Sequence, residues 1–191
     1  MTKKICLTVL AAWLMVGCAH SASSARGRNV NPDAGVLADF KTRVDAYDRL
    51  RRDLEGKTTA LKQTGDPAKI ATAEKEMAQQ IRAARANAKR GDLFTPATAA
   101  MFRRLLSPTV KGSESENRQA LKEDAPEPKD IPFKVNGEYP KDEPMSTMPP
   151  DMLKALPPLP ELLQFRFVGK HLLLYCSRGN LIVDYMLNAI P

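Results

Sequence analysis

The residue types best suited to chemistry lie close together near the end of the chain, in the stretch HLLLYCSRGNLIVDYM of residues 171–186. An imidazole, a thiol and a carboxylate are the groups that nucleophilic catalysis or metal binding uses, and this stretch supplies them as His171, Cys176 and Asp184. Whether these groups meet depends on the backbone that carries them, because a strand sends successive side chains to opposite faces.

The alternation of residues in this region predicts a three-stranded antiparallel meander over about 164–168, 171–176 and 181–186. Gly169 and Lys170 suit a two-residue type II′ turn with glycine at its first central position. The SRGN sequence makes the second reversal. The resulting register pairs Val168 with His171, Phe165 with Leu174, and Cys176 with Leu181.

Period-two alternation then sorts the side chains of the meander into two faces. We expect a nearly continuous apolar face made of Phe165, Phe167, Leu172, Leu174, Cys176, Leu181, Val183 and Tyr185. The opposite face carries Arg166, Val168, His171, Leu173, Tyr175, Ile182, Asp184 and Met186. Cys176 is therefore predicted to be a core residue that cannot pair with His171. Arg166 and Asp184 are predicted to form a surface ion pair.

Amphipathic helices precede the sheet, and the fold class predicted is α+β. Residues 31–110 are interpreted as a helical region: an antiparallel αα-hairpin followed by a third short helix. The first helix is expected to run from Asn31-Pro32 to a stop at Gly65, and the second from Asp66-Pro67 to Gly91. The third is expected to start at Thr95-Pro96 and to stop at Pro108.

A less regular part of the chain connects the helices to the sheet. Residues 111–130 are charged and poor in apolar side chains, which predicts a solvated loop with one or two helical turns. Residues 131–191 comprise a proline-rich segment and the small antiparallel sheet of three or four strands. Within the proline-rich segment, IPFKVNGEY predicts an edge strand and PPDMLKAL a two-turn helix.

The first residues have the layout of a bacterial secretory signal peptide, residues 1–18, followed by a flexible tether, residues 19–30. MVGC resembles a lipobox, in which Cys18 is the lipid attachment site and the new N-terminus. Ordinary signal cleavage within CAHSASSA is the alternative, and a retained transmembrane anchor is disfavoured by the short apolar run. The sequence predicts export to the periplasmic side of a membrane, the outer membrane for a lipidated chain in a two-membrane host, or secretion.

Positive charge is concentrated in the first half of the chain. Residues 26–111 contain 18 basic and 10 acidic residues, whereas residues 112–191 contain 9 basic and 12 acidic residues. For an exported protein, this asymmetry indicates anionic headgroups, wall polymer or an envelope protein as partner rather than nucleic acid. The candidate contact residues are Arg82, Arg85, Lys89, Arg90, Arg103 and Arg104. A solvated helix face is the alternative interpretation.

The sequence contains no catalytic or metal-binding motif that we recognise. Only Cys176 remains as a usable thiol beyond the signal, and with two histidines there is no His/Cys cluster at metal spacing, so no metal and no cofactor is predicted. GxSxG, HExxH and phosphate-loop patterns are absent. We therefore expect a non-enzymatic binding protein. An envelope enzyme, for which Asp92 in RGDLF is the one suggestive carboxylate, is an alternative.

Three stretches together carry a resemblance: VNPDAGVLADFKTRVDAY, AKRGDLFTPATAAMFRRLL and LPPLPELLQFRFVGKHLLLYCSRGNLIVDYM. They resemble an uncharacterised family of exported bacterial proteins, over most of the chain from about Val30 to Pro191. The resemblance implies the element boundaries and no activity. The hairpin alone is similar to that of small periplasmic proteins, one of them in nickel and cobalt homeostasis, which makes a metal-homeostasis or stress protein a further alternative.

Overall fold

The computed structural model describes residues 31–57, 65–111, 114–124 and 132–191. Over these ranges the chain forms five helices followed by a three-stranded antiparallel sheet, which confirms the predicted α+β class. The predicted signal peptide with Cys18, and the predicted tether, lie outside the described residues. Asn31–Pro191 form one compact unit.

The first two helices begin where the sequence predicts them. In α1, Pro32–Glu55, the side chain of Asn31 accepts the N–H of Asp33 at 3.0 Å. In α2, Pro67–Ala84, the side chain of Asp66 accepts the N–H of Ala68 at 3.0 Å. Both N-caps satisfy a backbone donor that the helix itself leaves unpaired.

The predicted ends of these helices are wrong, because α1 ends well before Gly65 and α2 well before Gly91. A long-range contact terminates α2. The Oδ1 atom of Asn136 accepts from the guanidinium of Arg85 at 2.7 Å, and its Nδ2 donates to the Arg85 carbonyl at 3.0 Å. This contact holds Arg85 in a non-helical conformation directly after Ala84.

The third and fourth helices correct two further predictions. Helix α3, Pro96–Lys111, passes through Pro108 instead of stopping there. A proline inside a helix removes one backbone donor. Leu106 before it is fully buried, and the carbonyl of Thr109 beyond it accepts from the Asn117 side chain at 2.9 Å, so the last turn is held by packing and by a side chain.

Asn117 belongs to α4, Glu114–Asp124, which replaces most of the charged loop predicted for residues 111–130. Its side chains are mostly polar, but Leu121 is buried in the core. The backbone of Leu121 also accepts the hydroxyl of Ser146 at 2.8 Å. Burial of a single apolar side chain thus positions a helix whose composition alone predicts a solvated segment.

The sheet consists of β1, Leu163–Val168, β2, His171–Cys176, and β3, Leu181–Met186. The three pairs predicted for the register are all observed. Gly169 has φ 55°, as the first central position of a type II′ turn requires. A single 3₁₀ turn, Ser177–Gly179, and left-handed Asn180 make the second reversal.

Each face of the sheet is covered by a different part of the chain. One face packs against the helices and contributes Leu163, Phe165, Phe167, Leu172, Leu174, Cys176, Leu181, Val183 and Met186 to the main core. Within that core, the rings of Phe40, Phe94, Phe102 and Phe165 lie with centroids 5.0–6.4 Å apart, which joins α1, the α2–α3 loop, α3 and β1. The other face packs against the proline-rich segment, with Tyr139, Val168, Leu173 and Ile182 buried.

The proline-rich segment contains the predicted helix, α5, Pro150–Ala155, but the predicted edge strand is wrong. Asn136 has φ 59° and the Gly137 N–H donates to the Lys134 carbonyl, so a turn interrupts the alternation. The segment still covers both edges of the sheet. Asn136 donates to Ile182 on β3 at 2.8 Å, and Ser146 donates to Phe167 on β1 at 3.0 Å. These bridges occupy part of each edge and so restrict its pairing with another chain.

Candidate functional site

His171 and Cys176 lie on opposite faces of the sheet, as the register predicts. Cys176 is fully buried in the main core, whereas the His171 ring stands 5.5 Å from that of Phe133 on the other face. The Nδ1 atom of His171 accepts the N–H of Asn188 at 3.1 Å. Partial burial and the neighbouring Lys170 lower the pKa of His171. The two groups therefore cannot act as a nucleophile and its base.

Asp184 is the residue whose placement differs most from the prediction. A β-bulge shifts the pairing of β2 with β3, so that Leu174 faces Asp184 while Tyr175 faces Ile182. Val183 is the extra residue on β3. Because a bulge reverses the alternation beyond it, Asp184 and Met186 point into the main core and Tyr185 points away from it. The face predicted for each of these three residues is wrong.

The buried carboxylate of Asp184 binds the backbone of the α2–α3 loop. It accepts the N–H groups of Gly91 at 3.0 Å, Leu93 at 2.8 Å and Phe94 at 2.8 Å. Its Oδ1 atom also accepts the N–H of Tyr185 at 2.8 Å. The predicted surface ion pair with Arg166 is therefore wrong, and Asp184 instead fastens the RGDLF loop to the sheet. Each bond is charge-assisted and stronger than a neutral one.

Asp92, the suggestive carboxylate of RGDLF, caps a turn in the same loop. Its Oδ2 atom accepts the N–H of Lys89 at 2.9 Å, and its carbonyl accepts from Arg43 at 2.9 Å. Both contacts hold the loop in place. The loop therefore has a structural role: it connects α2 with α3, and its backbone N–H groups donate to Asp184.

Three of the six predicted contact cations bind the proline-rich segment, the Tyr47 ring or the start of α1. Arg82 donates to the carbonyl of Asn136 at 3.0 Å and pairs with Glu138 at 2.7 Å. Arg85 is half-buried, contacts Asn136, and lies 4.9 Å over the ring of Tyr47, and burial lowers its pKa. Arg104 pairs with Asp33. These side chains fasten the proline-rich segment and the start of α1 to the helices.

The other three cations have no carboxylate within salt-bridge distance among the described residues. The guanidinium of Arg90 lies 5.7 Å over the ring of Tyr185. Arg103 donates to the carbonyls of Leu187 and Asn188, both at 2.9 Å. Lys89 is exposed beside Arg90. The Tyr185 ring orients Arg90, and two carbonyls orient Arg103, without neutralising either charge.

Lys170 joins the same region, since its carbonyl accepts the N–H of Ala189 at 2.8 Å and so holds the segment that Arg103 contacts. We call the surface formed by Lys89, Arg90, Arg103 and Lys170 the cationic face. Leu187, whose carbonyl accepts from Arg103, is 37% exposed. The sequence signal for Lys170 was its place in the β1–β2 turn, where a side chain must reach solvent.

Two further properties concern only the part of the chain that the structure describes. No group of three or more histidine, cysteine, aspartate or glutamate side chains there is arranged to hold a metal ion. No helix there has both the length and the apolar character needed to cross a membrane.

No family model, no curated protein and no solved structure matches this chain. The resemblance to an uncharacterised exported family therefore stays a prediction, and the proposals below rest on the residues themselves.

Proposed function

We propose that this protein is a non-enzymatic component of the bacterial cell envelope, anchored by lipid at Cys18, that binds an anionic surface through its cationic face. The observation that supports the binding role is the group of four cations around residues 185–190 whose charges no described carboxylate neutralises. The proposal assigns the anionic surface to lipid headgroups.

The physical argument starts from the orientation of these charges. Arg90 and Arg103 are held by a ring and by carbonyls, so binding an anion costs them less side-chain entropy than it costs a free arginine. Each cation near an anionic bilayer contributes about 1 kcal/mol, and salt weakens the contribution. Leu187, which is exposed next to Arg103, offers an apolar side chain to the interface.

The other three predicted contact residues, Arg82, Arg85 and Arg104, hold parts of the fold together. Arg82 and Arg85 attach the proline-rich segment, at Asn136, to α2. Arg104 attaches the start of α1 to α3. Reversing the charge of Arg85 would break its contacts with Asn136 and Tyr47, so a loss of binding in that variant would not identify a contact residue. Lys89 and Lys170 are better targets because both side chains are exposed.

The test uses a chain that starts at residue 26, which retains the whole compact unit Asn31–Pro191. We expect it to sediment with phosphatidylglycerol vesicles at low ionic strength, more weakly at about 0.15 M salt, and not with phosphatidylcholine vesicles. The double variant Lys89→Glu/Lys170→Glu should bind at least 30-fold more weakly, since two contributions of about 1 kcal/mol are lost.

The matched control is Arg49→Glu/Lys75→Glu, which changes the net charge equally at exposed positions on α1 and α2. This control should keep most of the binding. Equal losses in the two double variants would show that net charge rather than the cationic face drives association. Binding to phosphatidylcholine as strong as to phosphatidylglycerol would contradict the electrostatic mechanism.

A further inference from the structure

An apolar groove lies between α5, the prolines after it and β1. Its volume is about 670 Å³, which falls within the range of about 300–1,000 Å³ typical of small-molecule pockets. Apolar side chains make up most of its lining: Met148, Pro150, Leu153, Leu156, Pro157, Pro158, Leu159, Leu163 and Phe165. Leu153 is 51% exposed, so the groove presents apolar surface to solvent.

Four polar side chains line the groove, and the two that are charged are both positive. The four are Thr147, Lys154, Gln164 and Arg166. Lys154 reaches Asp151 at 3.4 Å, but both side chains are largely exposed and the pair contributes little. The groove therefore combines an apolar lining with two cations and no lining carboxylate.

Arg166 is the better-defined of the two cations. The Oε1 atom of Gln164 accepts from it twice, at 2.7 and 3.0 Å, and the Thr147 hydroxyl accepts at 3.2 Å. These neutral partners fix the guanidinium, which is half-buried and has no carboxylate at salt-bridge distance among the described residues. A half-buried guanidinium whose hydrogen-bond partners are neutral gains from binding a carboxylate, which can accept two parallel hydrogen bonds.

We propose that this groove binds a long-chain fatty acid, with the acyl chain along the leucines and prolines and the carboxylate on Arg166. This site is separate from the cationic face and goes beyond the surface binding proposed above. An acyl chain matches the lining because it has no hydrogen-bonding groups to leave unpaired. A peptide would bring an N–H and a carbonyl with each residue, and the groove supplies few partners for them.

Strand addition of a peptide at β1 is also restricted by pairs already made. The Phe167 carbonyl accepts the N–H of Ser146, and the Leu163 N–H donates to the Pro160 carbonyl. Outward backbone groups near both ends of β1 are thus occupied, which leaves little of the edge for an incoming strand.

The experiment compares palmitate with hexadecanol, which has the same chain length and no charge, on the chain that starts at residue 26. We expect saturable binding with one site, observed by calorimetry and as a one-to-one adduct in native mass spectrometry. Palmitate should bind at least tenfold more tightly than hexadecanol. Saturable binding of an extended apolar peptide, without saturable binding of either lipid, would overturn the proposal.

Two variants locate the site. Leu153→Asp should weaken palmitate binding at least tenfold, whereas Leu37→Asp, the same exchange at an exposed leucine of α1, should leave it unchanged. Arg166→Gln should remove the preference for palmitate over hexadecanol while hexadecanol binding persists. Equal effects at Leu153 and Leu37, or an unchanged preference in Arg166→Gln, would overturn the assignment.

The same measurements separate this site from the cationic face. The variant Lys89→Glu/Lys170→Glu should bind palmitate normally, because neither residue lines the groove. Loss of palmitate binding in that variant, with its circular dichroism and thermal midpoint unchanged, would contradict two separate sites.

Discussion

Replacing Asp184 with asparagine removes the charge that fastens the α2–α3 loop to the sheet while keeping the side chain's shape. An amide has one acceptor oxygen, whereas the carboxylate of Asp184 has two, and both are used. With the amide nitrogen at the Oδ2 position, Leu93 and Phe94 lose their acceptor. In the opposite orientation Tyr185 loses its acceptor, and Gly91 keeps only the longer contact of 3.2 Å.

The size of the effect follows from the number of backbone donors left unpaired. Each buried N–H without an acceptor costs about 1–3 kcal/mol, and the amide hydrogens additionally face N–H donors. We therefore expect Asp184→Asn to lower the free energy of unfolding by about 2–5 kcal/mol, which is a large part of the 5–15 kcal/mol that stabilises typical domains.

Urea unfolding followed by circular dichroism measures this change. The matched control is Asp53→Asn, the same exchange at an exposed position of α1. It should alter the free energy of unfolding by less than about 0.5 kcal/mol. If Asp184→Asn were as mild as Asp53→Asn, the three hydrogen bonds from the loop to Asp184 would not hold the loop in place, and the argument from the β-bulge would be refuted.

Three further predictions follow from single side chains. Tyr47→Phe should leave stability unchanged or raise it by about 1 kcal/mol in urea unfolding, because the buried Tyr47 hydroxyl has no well-formed hydrogen bond to any described residue and lies beside the weakly bonding thiol of Cys176. A clear loss of stability would contradict this. Partial burial lowers the pKa of His171 in the folded state. The free energy of unfolding of the wild type should therefore decrease as the pH falls below the ordinary value of 6.5. His171→Gln should lack this pH-dependent decrease in unfolding curves. If the wild type and His171→Gln lost stability equally below pH 6.5, His171 would be excluded as the cause. Cys18→Ser should move the protein from the membrane to the soluble fraction in cell fractionation, and an unmodified N-terminus on the wild type by mass spectrometry would refute lipidation.

The sheet was the most predictable part of the fold because its register depends on local signals. A glycine at the first position of a two-residue turn fixes the pairing of β1 with β2, and Gly169 supplies it. The β-bulge at Val183 was not predictable from alternation, since a period-two pattern assumes that no residue is inserted. The buried side of Asp184 was therefore assigned wrongly although the strand itself was placed correctly.

The helix ends and the cations were harder to predict because their partners lie far away along the chain. Arg82 and Arg85 bind residues more than fifty positions later, and Arg104 binds Asp33 more than seventy positions earlier. A count of charges along the sequence shows neither these distant partners nor the carbonyls of Leu187 and Asn188 that Arg103 binds. Only half of the predicted contact residues consequently belong to the cationic face.

The apolar groove was not predicted, since its lining comes from α5, the following prolines and β1, which are brought together only by the fold. The stretch PPDMLKAL predicts only a two-turn helix. The exposed Leu153 and the neutral partners of Arg166 become visible only in three dimensions.

The most direct test of the central claim is to place a reporter in the cationic face. Leu187 is exposed there, and Cys176 is fully buried, so a polarity-sensitive fluorophore can be attached to Leu187→Cys in the chain that starts at residue 26. Its emission should shift to the blue with phosphatidylglycerol vesicles, whereas the same fluorophore on Ile70→Cys, at a similarly exposed position on α2, should not respond. Vesicle binding with a response at Ile70, or with none at Leu187, would contradict the assignment of the cationic face as the contact surface.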